Sequence, residues 1–237
     1  MPEAHTPAAG DEAALPQSYR VNGTDLQVWP DDQRTAIVSG AQIVVTRFAD
    51  CDAYHPSLAA AVHAGAANPR FGGTTNLKAR GACGGKVYDI PGWGDPAAAL
   101  IHARALTLAH RSLARVAVHA DDTWASVYGH AEYCMPHSHL RSEVSIVYML
   151  DPGDADPDDK YGGLFAFSDA RIDWCCPRER GRMTRPLIPD MPPGTMLLFA
   201  SAYVHGVNPY FGTRPRITLS WNITRQRLPG SPRPAMA

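Results

Sequence analysis

The chain has 237 residues, of which 45% are hydrophobic, and a formal net charge of -1. It is therefore long enough to bury a full core, but its charge argues against nucleic acid as a partner. No run approaches the roughly 18 consecutive apolar residues of a membrane-spanning helix. Five cysteines without a C-x-x-C pair argue against a cysteine zinc site and favour free thiols in a reducing cytoplasm.

Ahead of residue 122 the sequence predicts one strand and two helices. Residues 1–18, like residues 227–237, are small, polar and proline-rich, and are expected to be disordered tails. The segment "AQIVVTRF" (41–48) predicts a strand, residues 55–68 a short helix, and the glycine-rich residues 72–94 loops. A longer amphipathic helix is predicted over 96–116, with Asp95 as its N-cap and Pro96 as its first residue.

From residue 122 onwards the pattern changes to short strands. The runs "WASVYGHAEY", "EVSIVYML", "GLFAFS", "TMLLFAS" and "RITLSWNIT" are rich in β-branched and aromatic residues and are bounded by turn formers. Such spacing favours a barrel or a two-sheet jelly roll. Since no repeat or linker interrupts the chain, we expect a single, mainly β domain with flanking helices over 1–237 and a core at 122–224.

Three histidines in this β region are candidate metal ligands. His137 and His139 are two residues apart, so on an extended chain their side chains point to the same face. His205 follows a later strand of the same predicted core. An H-x-H pair combined with a distant histidine favours a metal site over a polar turn.

Two residues in the last strand point to an anionic ligand. Arg216 opens "RITLSWN", and a buried guanidinium requires an anionic partner because an unpaired buried charge is very costly. The fork of arginine suits a carboxylate. Thr218 shares its face of the strand and has a hydroxyl to donate to the same group.

The last 115 or so residues resemble the double-stranded β-helix of the iron(II)- and 2-oxoglutarate-dependent oxygenases, and are most similar to the bacterial 2OG-Fe(II) oxygenase group. The motifs that carry the resemblance are "HSHLRSEVSIVYML", "GGLFAFSDAR", "PPGTMLLFASAYVHGVNP" and "RITLSWN". The resemblance implies that His137 and His205 bind iron. It also implies that Arg216, helped by Thr218, binds the distal carboxylate of 2-oxoglutarate, and it loosely matches Tyr128 to a cofactor contact.

The chain departs from this pattern at the second metal position, where most members have aspartate or glutamate and this chain has His139. Three alternatives remain open. His139 completes a three-histidine face, Glu143 supplies the carboxylate, or the iron has two protein ligands and water. His139 argues against halogenation, which needs a small residue at that position.

We therefore expect a non-haem iron dioxygenase that uses Fe(II), 2-oxoglutarate and O2 to hydroxylate or otherwise oxidise a small, amino-acid-like metabolite. The alternative is a cupin-type metal enzyme or sensor that does not use 2-oxoglutarate, since "HSHLRSE" also fits the cupin pattern H-x-H-x-x-x-E. We expect a cytoplasmic protein with neither nucleic-acid nor membrane partners, and leave a homodimer open. The sequence does not fix the substrate or the reaction outcome.

Overall fold

The computed structural model describes residues 16–37, 42–73, 84–154, 158–169, 171–172 and 185–226. The predicted tails lie outside these residues, except that residues 16–18 lead into the first strand. Two α-helices and thirteen strands form within the described residues: β1 Ser18–Val21, β2 Thr24–Gln27, β3 Thr35–Ile37, β4 Val44–Arg47, α1 His55–Ala67, β5 Gly72–Gly73, β6 Gly85–Tyr88, α2 Pro96–Ser112, β7 Val118–Tyr128, β8 Glu132–His137, β9 Val144–Asp151, β10 Phe165–Phe167, β11 Thr195–Ala200, β12 His205–Tyr210 and β13 Arg216–Arg225.

Both predicted helices are confirmed. The longer helix, α2, begins at Pro96, whose fixed φ angle and missing amide hydrogen suit the first helical turn. The Asp95 side chain accepts a hydrogen bond of 2.9 Å from the amide of Ala98 and so caps the helix. Within the described residues, no helix is long and apolar enough to cross a membrane.

The strands form two facing sheets and a small hairpin. The large sheet has the strand order β3-β4-β11-β9-β13-β7-β6-β5, the small sheet has the order β10-β12-β8, and β1 pairs with β2. Neighbouring strands in all three run antiparallel. From β8 to β13, successive strands alternate between the small sheet and the large sheet, as in a jelly roll. The predicted mainly β fold is therefore confirmed.

The central strands of the large sheet, β9, β11 and β13, are buried on both faces, and their side chains divide by the two-residue period of a strand. One face packs against the helices, and the other faces the small sheet. In β9, Ile146 and Tyr148 belong to the helix-side core, whereas Val147 and Met149 pack with Phe165 of the small sheet. The space between the two sheets is therefore lined by every second residue of the central strands.

The prediction of loops over 72–94 is wrong in part. Residues 85–88 form β6, which pairs with β7 in the register Lys86 opposite Ser126, and β5 pairs with β6 in turn. Ile90–Trp93 forms a 3-10 turn. Glycines weaken the strand pattern in this stretch, but the long neighbour β7 supplies a hydrogen-bonding edge that overrides local propensity.

Candidate metal centre and ligand cavity

The three predicted histidines meet at the mouth of the two sheets. His137 is the last residue of β8 and pairs across the small sheet with His205, the first residue of β12. His139 lies in the turn after β8, where its amide donates a hydrogen bond of 2.8 Å to the carbonyl of Ser201. One ligand atom from each histidine lies within 4.8 Å of the others. This separation allows all three to contact one cation.

Hydrogen bonds at Nδ1 orient the rings of two of these histidines. Nδ1 of His137 donates to the carbonyl of Met135 at 2.8 Å, and Nδ1 of His205 donates to the carbonyl of Tyr203 at 2.8 Å. A carbonyl only accepts, so the proton of each neutral ring is on Nδ1. Nε2 is then the atom with a lone pair for a metal.

The ring of His139 is held by Asn222 of β13, whose amide nitrogen lies 3.4 Å from Nδ1 of the histidine. The other end of this amide accepts a hydrogen bond of 2.9 Å from Ser145, which also contacts Ser201. The nitrogen and oxygen of the Asn222 amide can exchange places by a half-turn of the amide group. The oxygen then accepts a hydrogen bond from Nδ1–H of His139, and the nitrogen donates one to the hydroxyl oxygen of Ser145. In that arrangement Nε2 of His139 is available as a ligand, as in the other two histidines.

His139 and His205 lie in surroundings that keep their rings neutral. Burial lowers the pKa of His205 to about 3 and that of His139 to about 4, and in each case the nearby His137 adds to the effect. Neutral imidazole is the form that binds a metal.

Aromatic side chains enclose His205, the buried one of the three histidines. The ring of Phe165 stacks on His205 with the centroids 5.5 Å apart, and the ring of Phe199 meets it edge-on at 4.7 Å. Behind them, Asp169 accepts a hydrogen bond of 2.8 Å from the amide of Val204, the residue before His205. Hydrogen bonds from Arg171 hold the pKa of Asp169 well below its usual range. The buried carboxylate therefore fixes the turn that presents His205.

Glu143, the alternative metal ligand, is not part of the three-histidine group. Its carboxylate accepts a hydrogen bond of 2.6 Å from Nε of Arg225 at the end of β13. Of the candidate ligands, the structure brings together the three histidines.

A narrow cavity extends from His137 and His205 between the two sheets. Two of the predicted cofactor contacts, Tyr128 and Thr218, line it together with His137 and His205. The remaining described lining residues are Lys86, Trp124, Ser126, Cys134, Val147, Phe165, Gly206, Val207 and Ser220. Among these lining residues there is no aspartate or glutamate, so the cavity suits an anionic ligand.

Arg216 is buried beside this cavity. Its guanidinium carbon lies 5.3 Å from the ring centroid of Tyr128, and its side chain is 2% exposed. Neither Nη1 nor Nη2 has a hydrogen-bond partner within the described part of the chain. Two carboxylates of the β half are engaged elsewhere, since Glu132 accepts from the amide of Gly129 and Asp169 accepts from Arg171. Burial without an anion lowers the pKa of Arg216.

Two site residues escaped the sequence analysis. Lys86, which lines the cavity, lies in the stretch predicted to be loop. Asn222 was detectable, because "RITLSWN" places Thr218, Ser220 and Asn222 on one face and apolar residues on the other. All of these positions are buried. A polar row on a strand buried on both faces marks the wall of a polar cavity.

Comparison with solved structures places this fold among known enzymes. The chain superposes on a Pseudomonas putida prolyl-4-hydroxylase with a TM-score of 0.56 at 16% identity, over 79% of this chain and 94% of that one. The non-haem alpha-ketoglutarate-dependent epimerase SnoN from nogalamycin biosynthesis gives 0.55 at 14%, over 82% and 86%. A Trichoplax adhaerens prolyl hydroxylase, solved with a hypoxia-inducible factor peptide fragment, gives 0.51 at 15%, over 77% and 84%.

At these identities the likeness establishes the fold. No protein-family model matches the chain, and the search of curated proteins gives no match either. The chain has the jelly-roll fold of the 2OG-Fe(II) oxygenases, which confirms the resemblance at the level of the fold.

Proposed function

We propose that this protein is an oxygenase that depends on iron(II) and 2-oxoglutarate and acts on a small metabolite. The observation that carries the proposal is the buried Arg216, whose Nη1 and Nη2 lack a hydrogen-bond partner in the described chain and which lies beside a cavity that begins at three clustered histidines. A guanidinium left in this state is costly unless a ligand with an anionic group pairs with it. 2-Oxoglutarate has one end that chelates a metal and a carboxylate at the other.

The residues fit an iron(II) ion. His137, His139 and His205 each have one ring nitrogen to offer within 4.8 Å of the others, and imidazole is a good ligand for iron. A face of three protein ligands leaves positions open for a chelating co-substrate and for oxygen. When bound, iron(II) would supply the site at which O2 is activated, with two electrons coming from the oxidative decarboxylation of 2-oxoglutarate and two from the substrate.

The chain supplies binding, orientation and exclusion of water. Arg216 and the Thr218 hydroxyl bind the distal carboxylate of 2-oxoglutarate, and the Tyr128 ring packs against the guanidinium and fixes its direction. Phe165 and Phe199 keep water from the His205 side of the centre. The protein thereby holds one end of the diacid while its keto acid end remains beside the histidines.

The substrate class is inferred from charge and size. With the cavity filled by the co-substrate, the lack of acidic residues in its described lining favours an acidic substrate at the histidine end, such as a small, amino-acid-like metabolite oxidised at a C–H bond. The cupin alternative is less well supported, because its pattern needs Glu143 as a metal ligand beside the histidines, and Glu143 pairs with Arg225.

Anaerobic titration of the Fe(II) protein with 2-oxoglutarate tests the proposal. Binding of the keto acid to iron gives a weak visible charge-transfer band, which we expect in the wild-type protein. Absence of the band at saturating iron and 2-oxoglutarate would favour the cupin alternative.

A further inference from the structure

A second cavity, of about 520 Å³, opens beside the C-terminal end of α2 and shares no lining residue with the cavity between the sheets. We call it the α2-end cleft. Its floor is apolar, since Val144 of β9 and Leu198 of β11 belong to the core on the helix side of the large sheet. A volume of this size, with an apolar floor and a few polar groups, is typical of a binding site for a small organic molecule.

The α2-end cleft is positively charged. Arg111 and Arg115 line it, and its described lining contains no aspartate or glutamate. The guanidinium carbon of Arg111 lies 4.7 Å from the ring centroid of Trp29, which also lines the cleft. Stacking occupies the face of the guanidinium and leaves its in-plane N–H groups to donate. Neither guanidinium has a hydrogen bond or an ion pair within the part of the chain that the structure describes.

Three residues at the α2-end cleft have a backbone conformation that L-amino acids rarely adopt. Gln42 and Arg115 line the cleft with φ angles of 57° and 59°, and Ala114 precedes Arg115 with a φ angle of 59°. Residues held in this left-handed region are unfavourable, and they cluster at ligand sites. The amide of Arg115 donates a hydrogen bond of 2.9 Å to the carbonyl of His110, so the unusual turn brings the second arginine back over the end of α2.

One wall of the α2-end cleft is the turn that presents two of the three histidines. Ala200 and Tyr203 line the cleft, and the amide of Tyr203 donates a hydrogen bond of 2.9 Å to the carbonyl of Ala200. The carbonyl of Ser201 accepts from the amide of His139, and the carbonyl of Tyr203 accepts from Nδ1 of His205. A ligand that shifts this turn therefore shifts two of the rings of the candidate metal centre.

The floor of the α2-end cleft lies on the opposite side of the large sheet from the histidines. Val144 faces the cleft, whereas the next residue of β9, Ser145, contacts Asn222 on the side of His139. Neighbouring residues of a strand point to opposite faces, so the sheet itself separates the floor of the cleft from the metal centre. A molecule on this floor is therefore not in the position of a molecule that is oxidised.

We propose that the α2-end cleft binds a planar organic acid as an effector, and that binding is transmitted to the metal centre through residues 200–205. The apolar floor and the ring of Trp29 take the planar body, while Arg111 and Arg115 bind the acid group. The binding step goes beyond the proposed function and does not depend on it, because it involves neither iron nor 2-oxoglutarate.

Titration of the metal-free full chain with 2-naphthoate tests the site. The NMR signal of the Trp29 indole N–H, identified as the one missing from Trp29→Phe, reports binding. We expect a saturable shift with a Kd of about 1 mM, the affinity typical of a ligand of this size. Arg111→Met and Arg115→Met should each bind at least about fivefold more weakly, because a charge-assisted hydrogen bond is lost. The use of two variants makes the result independent of the folding of either one.

Three controls locate the probe. Lys160→Met removes a positive charge from an exposed position outside the cleft and should bind 2-naphthoate as the wild type does. Arg216→Met should also do so, since Arg216 lies beside the other cavity. 2-Naphthamide, which has the same ring system without the charge, should bind at least about fivefold more weakly than 2-naphthoate.

Visible spectra of the Co(II) protein measure the transmission to the metal centre. We expect saturating 2-naphthoate to shift the ligand-field bands of the wild type, and the same concentration to have a smaller effect on Arg115→Met. An unchanged wild-type spectrum would refute the transmission. An equal change in both proteins would mean that the acid binds cobalt directly, and would refute it as well.

The binding outcomes separate this inference from the proposed function. An unshifted Trp29 signal, wild-type affinity in both arginine variants, or equal binding of 2-naphthamide would overturn the site and leave the proposed function standing. Loss of 2-naphthoate binding in Arg216→Met would place the acid in the co-substrate cavity and would overturn the site too. Conversely, an Fe(II) protein that fails to bind 2-oxoglutarate would leave the binding step in the cleft intact.

Discussion

Arg216 and Tyr128 are register partners at the ends of adjacent strands, with the guanidinium carbon 5.3 Å from the ring centroid. The ring face of Tyr128 partly compensates the buried charge, whereas Nη1 and Nη2 have no hydrogen-bond partner in the described chain. The pair holds a cation ready for a ligand at a cost to the stability of the ligand-free protein.

That cost predicts that removing the Arg216 guanidinium stabilises the ligand-free protein but weakens the binding of 2-oxoglutarate. Arg216→Met replaces the guanidinium with an apolar side chain, so we expect the ligand-free protein to gain about 1–3 kcal/mol in the free energy of unfolding. With Mn(II) present in both samples, 2-oxoglutarate should raise the Tm of the wild type more than that of the variant. Thermal melts with and without ligand measure both effects. A variant less stable than the wild type, yet stabilised equally by 2-oxoglutarate, would contradict the assignment.

The three-histidine face predicts that His139 contributes to metal affinity. His139→Ala should weaken binding of Fe(II), measured anaerobically, by at least about tenfold, because one of three protein ligands is lost. His139→Asp restores a ligand and should recover most of the affinity. The exposed His130→Ala is the matched control. If His139→Ala binds Fe(II) as tightly as this control does, the metal has two protein ligands.

The contact between Asn222 and Nδ1 of His139 predicts that Asn222 affects the metal affinity although it does not bind the metal itself. Asn222→Leu leaves the ring unsupported and should weaken metal binding by about 10–100-fold. Asn222→Asp supplies a fixed acceptor for Nδ1–H and should keep or raise the affinity. Visible spectra of the Co(II) protein report the ligand field directly. A purely structural role predicts unchanged spectra in every variant that folds.

Glu143 is expected to be dispensable for the metal. Its ion pair with Arg225 is partly exposed, so Glu143→Gln should cost under about 1 kcal/mol in unfolding free energy. Its Fe(II) affinity should remain within about twofold of the wild type, since the carboxylate is not one of the proposed ligands. A large loss of affinity would instead support the cupin pattern.

Two partly buried histidines outside the site predict that the folded protein loses stability as the pH falls. Burial lowers the pKa of His55 and of His102 to about 4 from 6.5. His55 contacts the Tyr148 hydroxyl, and Nδ1 of His102 accepts from the indole of Trp221. Because the folded pKa lies below the unfolded one, the unfolded state takes up protons first. The stabilisation is complete above pH 6.5 and is lost as the pH falls towards 4.

Urea unfolding of the metal-free protein at pH 7 and pH 5 measures this loss. We expect about 1 kcal/mol per histidine, less than the full pKa shift implies, because both rings keep some contact with solvent. His102→Gln should reduce the loss, and the exposed His63→Gln should not. An equal loss in all three proteins would exclude His102 as a contributor.

Most of the site was predictable because its residues stand in strong local patterns. R-x-T lies on a strand with clear β-branched composition, so the shared face of Arg216 and Thr218 followed from the two-residue period. The face shared by His137 and His139 arises differently from the prediction. β8 ends at His137, and the hydrogen bond from the amide of His139 to the carbonyl of Ser201 places His139 beside His137.

Long-range contacts explain what the sequence analysis missed. The segment "GKVY" of β6 is too short and glycine-bordered to indicate a strand by itself, and pairing with β7 makes it one. Lys86 enters the cavity only because of that pairing. The partner of Glu143 is Arg225, which lies 82 residues further along the chain, a distance over which local spacing carries no information.

The central claim is that one diacid spans the space from a metal on three histidines to Arg216. An anaerobic crystal structure of the Mn(II) protein with 2-oxoglutarate tests it most directly. The account predicts Mn(II) bound by His137, His139 and His205, with the distal carboxylate hydrogen-bonded to Nη1 and Nη2 of Arg216. A structure with metal and ligand bound but with the Arg216 guanidinium still unpaired would contradict it.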